Sequence, residues 1–226
     1  MKEKQMINLL EDYIHASLPG AGNFSTNPSL EKKVSKTGKL LPFYGNTTVF
    51  LLDREAKTAL KQLQEELYLA AGELLAERLE PDTLHMTLHD LENGPVQDEV
   101  LTQRMTAARQ KAKAYLKLWQ GRPPLRMRAT CLFNMVNTSV VLGLAPADGE
   151  SRAALAEMYG LLETVVPLGY GLTPHITMAY YKPGVYSQRE LRGLKNALHP
   201  VQLEFRLNPD ALAYQEFTDM NHYLCK

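Results

Sequence analysis

Leu84-His85-Met86-Thr87-Leu88 and Leu172-Thr173-Pro174-His175-Ile176-Thr177-Met178 carry the same short pattern, a His-x-Thr triplet inside an apolar run. In an extended chain, residues two apart share a face. His85 and Thr87 therefore point one way and Leu84, Met86 and Leu88 the other; His175 and Thr177 are set against Ile176 and Met178 in the same manner. Apolar members suit a core beneath helices, which leaves the polar members on an open face. Pro174 holds the backbone extended ahead of the second copy, and Pro81-Asp82 marks a bend ahead of the first.

Outward from the two triplets the chain repeats its order of elements. Residues 47–52 are β-branched and apolar, a strand. Residues 54–79 are rich in Ala, Leu, Glu, Gln and Lys, with Leu60, Leu63, Leu67, Leu74 and Leu75 on one face, a helix. The His85 strand (84–91), a helix over 96–119 and a strand over 125–135 complete the unit. Asn137-Thr138 suggests a turn, after which a strand at 139–144, a helix at 150–166, the His175 strand at 173–181, a helix at 188–198 and a strand at 201–207 follow the same order. Ser187 and Glu190 stand in capping-box register at the start of that last helix. A strand at 212–217 and another near Tyr223 close the chain. His175 follows His85 by 90 positions and Thr138 follows Thr47 by 91, although the two units share almost no identity outside the triplets. A repeat of that length is no short solenoid unit. Two lobes of about 47–136 and 137–226, related by a pseudo-two-fold, would bring the two triplets into one cleft.

Ahead of this frame, residues 3–17 carry Met6, Leu9, Leu10, Tyr13 and Ile14 at helical spacing, and Pro19-Gly20 stops the helix. Residues 19–46 show little periodicity. A run of that length is either a lid or binding loop or a surface excursion. The chain thus divides into 1–46, a helix and long loop, and 47–226, the bilobal domain.

The chain of 226 residues hides roughly 70–75% of its unfolded surface on folding. Hydrophobic (45%) and charged (22%) fractions are those of an ordinary water-soluble protein. Lys+Arg and Asp+Glu are both 25, which argues against a protein that grips long nucleic acid through its phosphates. A small nucleotide or an RNA end needs only a few donors. Cys131 and Cys225 form neither a disulfide framework nor a zinc pattern. Glu3, Glu11 and Asp12 exclude a signal-peptide core at the start, and no run of about 18 uncharged apolar residues occurs. These features lead us to expect a cytoplasmic monomer without a membrane partner.

Cleaving a phosphodiester requires a base for the attacking hydroxyl or water and an acid for the leaving oxygen. Paired histidines on opposite sides of a phosphate serve both roles near neutral pH, since imidazole titrates at about 6.5. Thr87 and Thr177 would hydrogen-bond the non-bridging oxygens. The scheme calls for no metal and no cofactor.

The two triplets, with Pro-His-Ile-Thr in the second and His-Met-Thr in the first, resemble the paired motifs of the 2H phosphoesterase superfamily. Leu41-Pro42-Phe43-Tyr44-Gly45-Asn46-Thr47 is similar to a branch of cyclic-phosphodiesterase-like proteins within it. The resemblance covers about residues 40–207. It implies an α+β fold of duplicated β-α-β-α-β units, with antiparallel-rich sheets lining a central cleft and helices outside. It implies hydrolysis of a small cyclic nucleotide, a 2′,3′-cyclic phosphate or a 2′–5′ linkage, and carries His85, Thr87, His175 and Thr177 over as catalytic. The alternatives are a nucleotide- or RNA-binding module of the same fold without turnover, and the reverse reaction, RNA 2′–5′ ligation.

Four further residues are expected to meet substrate. Strict alternation continues the face of His85 and Thr87 to His89, and that of His175 and Thr177 to Tyr181, with Tyr180 turned to the core. Tyr44, as a stacking residue, and Asn46, as a hydrogen-bonding one, precede the first strand, where a loop would close over the cleft; a plain turn at Gly45-Asn46 explains them equally well.

Overall fold

The computed structural model describes residues 6–7 and 18–226. Ten strands and four α-helices are found among them: β1 (Phe24–Ser25), β2 (Tyr44–Leu51), α1 (Arg54–Ala71), β3 (His85–Gly94), α2 (Glu99–Lys117), β4 (Leu125–Met135), β5 (Ser139–Pro146), α3 (Gly149–Glu163), β6 (His175–Tyr180), β7 (Val185–Tyr186), α4 (Leu191–Ala197), β8 (Glu204–Leu207), β9 (Leu212–Asp219) and β10 (His222–Cys225). Eight strands form one antiparallel sheet in the order β10-β9-β2-β3-β6-β5-β4-β8. The helix expected over 3–17 lies almost wholly outside the described residues; Ile7, which is described, bridges Leu172 in parallel.

The middle of the sheet is its weakest seam. β3 and β6 are joined through a single residue pair, Met86 with Ile176, both fully buried. On each side of the seam stand four strands in mirrored order, so that β3 corresponds to β6, β2 to β5, β9 to β4 and β10 to β8. The halves are not consecutive stretches of chain. β4, the last strand of the first sequence unit, pairs with β5 and β8 in the second half, and β9 and β10 return to pair in the first. The short β4–β5 connection explains the exchange, because a tight turn forces its two strands to be neighbours. Val136 (φ 43°) and Asn137 (φ 60°) both adopt left-handed backbone there, a cost accepted easily by Asn and poorly by a β-branched residue. The segment before β2 holds that turn: the Asn27 amide donates to the Asn137 carbonyl (2.9 Å) and the Asn137 side chain donates to the Ser25 carbonyl (3.1 Å).

α1 and α3 begin within a residue of their expected starts, whereas α2 begins at Glu99 rather than at 96 and α4 at Leu191 rather than at 188. Asp53, Asp98 and Asp148 each accept an amide hydrogen bond from the first turn of α1, α2 and α3. Ser187 and Glu190 make their reciprocal contacts ahead of α4. The expected helix over 54–79 ends earlier, at Ala71, and Gly72–Leu74 form a 3-10 turn. Hydrogen bonds to the end of β6 draw the chain out of the helix: the Ala76 amide donates to Tyr180 and the Lys182 amide to Leu74. Leu74 and Leu75 are buried as expected, against that strand. α1 and α4 approach so closely that a Cβ on Gly193 would stand 1.9 Å from the Ala70 carbonyl oxygen. Residues 19–46 are fastened rather than free-standing: β1 pairs with β7, Val34 bridges Leu40, and Leu30 and Val34 are buried. No helix among the described residues is long and apolar enough to cross a membrane.

Candidate active site

Both His-x-Thr triplets open the two strands at the seam, His85 as the first residue of β3 and His175 as the first of β6. The Met86–Ile176 pair fixes their relation. One residue to either side, that antiparallel register sets His85 opposite Thr177 and Thr87 opposite His175. All four are half-buried, whereas Met86 and Ile176 are sealed beneath. The four line one cavity of about 520 Å³.

The two histidines are held alike. His85 Nδ1 lies 2.6 Å from the Thr83 carbonyl oxygen and His175 Nδ1 lies 2.7 Å from that of Thr173. A carbonyl only accepts, so Nδ1 carries the hydrogen in both rings and Nε2 is left for chemistry. The turns that supply these carbonyls follow from sequence: Pro81 opens a 3-10 turn that ends at Thr83, and Pro174 is fixed through its carbonyl to the Leu144 amide. Burial pushes His85 down to about 4, against the opposing pull of the Thr83 hydrogen bond and the Asp90 carboxylate; His175 and Lys57 lower it further. His175 is lowered too, again by burial, with the Thr173 carbonyl and Asp90 opposing. The Tyr223 ring meets His85 edge-on at 4.9 Å between centroids.

A matched pair of β-bulges decides what else reaches the cavity. The β2–β3 register steps from Thr48 opposite His89 to Val49 opposite Thr87, passing over Leu88. The β5–β6 register steps from Val140 opposite Ala179 to Val141 opposite Thr177, passing over Met178. Each bulge follows the motif threonine directly, and each resets the alternation of side chains. Strict alternation places His89 and Tyr181 on the cleft face; the bulges bring Asp90 and Tyr180 there.

Tyr181 is accordingly fully buried against the edge of Phe24 and does not line the cavity. His89, 1% exposed, touches the cavity wall but turns its Nε2 to Glu163 at the end of α3 (3.2 Å). Burial lowers the His89 ring. Glu163 is held below the usual carboxylate range: burial opposes this, but the Leu168 and Gly169 amides and His89 outweigh it. Thr47 and Thr48 both donate to the His89 carbonyl oxygen, which pins the bulge.

Asn46 and Tyr44 lie away from the cavity. β2 starts at Tyr44, earlier than the sequence pattern suggests, so both belong to a strand rather than to a loop over the cleft. Asn46 is 1% exposed; its Nδ2 donates to the Met105 carbonyl and the Tyr214 hydroxyl, and its Oδ1 accepts from the Glu92 amide. It ties together β2, β3, β9 and α2. Tyr44 is half-buried opposite Gly94. Sequence reasoning missed Asp90, Tyr180, Tyr223 and Lys33 as cavity residues. The first two depend on the bulges and the third on an edge strand returning to the first half. Lys33 lies in the stretch without periodicity, where no pattern assigns a direction. Among the described residues no group of three or more His, Cys, Asp or Glu is placed to hold a metal ion.

No family model matches the chain, and no curated protein does. Solved structures do. A conserved protein of unknown function from Agrobacterium tumefaciens, ATU0111, is similar over 90% of this chain and 93% of its own, at 20% identity and a TM-score of 0.64. TT0787 of Thermus thermophilus is similar over 80% of this chain and 94% of its own, at 20% identity and a TM-score of 0.51. Escherichia coli LigT complexed with 3′-AMP aligns over 81% and 95%, at 14% identity and a TM-score of 0.49. The likeness is one of fold: the chain shares its antiparallel α+β architecture with ATU0111 and TT0787.

Proposed function

We propose that the protein is a phosphodiesterase that hydrolyses a small cyclic nucleotide, a 2′,3′-cyclic phosphate or a 2′–5′ linkage. The observation that carries this reading is the matched pair of imidazoles. Each is locked through Nδ1 to the carbonyl two residues upstream, and each stands across the seam from the other motif's threonine. A phosphate seated among the four receives hydrogen bonds from Thr87 and Thr177 on its non-bridging oxygens. One imidazole Nε2 takes a proton from the attacking water as the new O–P bond forms. The other, protonated, passes its proton to the departing ribose oxygen as the old P–O bond breaks, which leaves a phosphomonoester. Rings with this geometry suit acid–base work, typically worth about 10²–10⁴ in rate per group. The cleavage scheme runs without a metal ion.

The test is a screen of 2′,3′-cyclic mononucleotides, 2′–5′ oligoadenylates and cyclic dinucleotides against the wild type, His85→Ala and His175→Ala, with and without chelator. The expected result is turnover of at least one class, unaffected by chelator and reduced about 10²–10⁴-fold in either variant. Undiminished turnover in the His85→Ala/His175→Ala double variant, assayed alongside, overturns the assignment.

A further inference from the structure

Among the described residues Lys33 is the one lysine or arginine that lines the cavity. Its Nζ lies 4.7 Å from the centre of the Phe43 ring and 5.9 Å from that of Tyr180. Phe43 leads into β2 of the first half of the sheet and Tyr180 ends β6 of the second, so the lysine touches both halves, with Tyr180 the cavity-lining ring of the two. Its backbone is anchored: the Lys33 amide donates to the Leu30 carbonyl (2.9 Å), and the Lys33 carbonyl accepts from Leu41 (2.8 Å). Neighbouring Val34 is fully buried. Lys32, Lys36 and Lys39, by contrast, are exposed and outside the cavity.

Lys33 has no carboxylate partner among the described residues. A half-buried ammonium held between two aromatic rings gains from cation–π attraction, yet it makes no ion pair among the described residues, Asp90 of the same cavity included. The scissile phosphate does not fill that need, because the four motif residues already serve it. Tyr180 lies three residues beyond Thr177 on β6, on the far side of the Met178 bulge from the motif. The ammonium thus faces a second position in the same cavity.

We propose that Lys33 forms an anion subsite, and that the substrate carries a terminal phosphomonoester at its far end in addition to the diester that is cleaved. The proposal rests on the phosphodiesterase reading and narrows it, from any small cyclic or 2′–5′-linked nucleotide to one with a distal phosphate. Tyr180 and Phe43 hold the lysine in place, and its freedom to donate three hydrogen bonds suits a phosphate oxygen cluster.

Adenosine 2′,3′-cyclic phosphate and its 5′-phosphorylated form are the probes. KM is measured with the wild type, Lys33→Met, Lys33→Arg and the exposed control Lys36→Met; Kd is measured by calorimetry in the His175→Ala background with Lys33 intact and with Lys33→Met. The 5′-phosphate is expected to improve KM and Kd about tenfold or more, as a charge-assisted hydrogen bond does. Lys33→Met should erase the ratio between the two probes, Lys33→Arg should retain most of it, and Lys36→Met should leave it alone. Equal values for the two probes in the wild type, a ratio that survives Lys33→Met, or failure of both probes to bind overturns the subsite. Turnover without a preference sinks the subsite and leaves the hydrolase. A Lys33-dependent binding preference without any turnover keeps the subsite and sinks the hydrolase.

Discussion

Acidification tests the active site through the stability of the fold. His85 titrates at about 4 in the folded protein and at about 6.5 once unfolded. Above pH 6.5 the ring is neutral in both states and contributes no pH dependence. Between 6.5 and 4 the unfolded chain takes up the proton first, so the folded state loses stability as pH falls; below about 4 the loss is complete. A separation of about 2.5 units corresponds to about 3 kcal/mol. His175 acts in the same direction, so the wild type alone cannot assign the effect to one ring. His85→Asn isolates it, because Asn retains a donor for the Thr83 carbonyl but does not titrate. Urea denaturation from pH 7.5 to pH 3.5 should show the wild type losing about 3 kcal/mol more than His85→Asn across that window. The His85 Cε1 proton, followed by NMR, should titrate far below the ordinary imidazole range. A midpoint at or above 6.5, or stability curves of the two proteins that run parallel, refutes the half-buried, neutral His85 derived above.

Other expectations follow from the same geometry. Because both histidines are depressed, the bell-shaped pH dependence of kcat/KM should centre below 6.5; substrate phosphate, which favours the imidazolium, should displace the kcat profile to higher pH. A kcat/KM optimum above 7.5 contradicts this. Asn46→Ala strands the Glu92 amide and takes one partner from the Met105 carbonyl and from the Tyr214 hydroxyl, which keeps Glu216; it should cost about 1–3 kcal/mol in urea denaturation, with kcat/KM little changed. A large loss of activity at full stability would mean that Asn46 meets substrate after all. Gly193→Ala puts a methyl against the Ala70 carbonyl and should destabilise by about 1–3 kcal/mol or more as α4 is pushed from α1; an unchanged denaturation midpoint refutes that close approach.

Much of the fold is legible because it rests on local periodicity. The apolar stripe of α1 and the Ser187–Glu190 box act within a few residues, and the structure follows them. Where long-range bonds compete, local pattern loses: the helix over 54–79 stops at Ala71 because β6 claims Leu74 and Ala76. Tyr44 and Asn46 read as loop because Gly45-Asn46 has turn chemistry, but β3 and β9 on either side supply partners that draw the pair into a strand.

The two His-x-Thr triplets were determined by sequence alone, as was the division of each into a buried and an open face, since a strand's two-residue period needs no partner. Their 90-residue spacing within a repeated element order was enough to expect one cleft. Only the tertiary structure decided which residues join them there. A bulge arises between two strands, from the mismatch of their registers, and no single stretch of sequence encodes it. Two such bulges turn His89 and Tyr181 inward and bring Asp90 and Tyr180 into the cavity, where Lys33, from a stretch without periodicity, supplies a cation beside Tyr180.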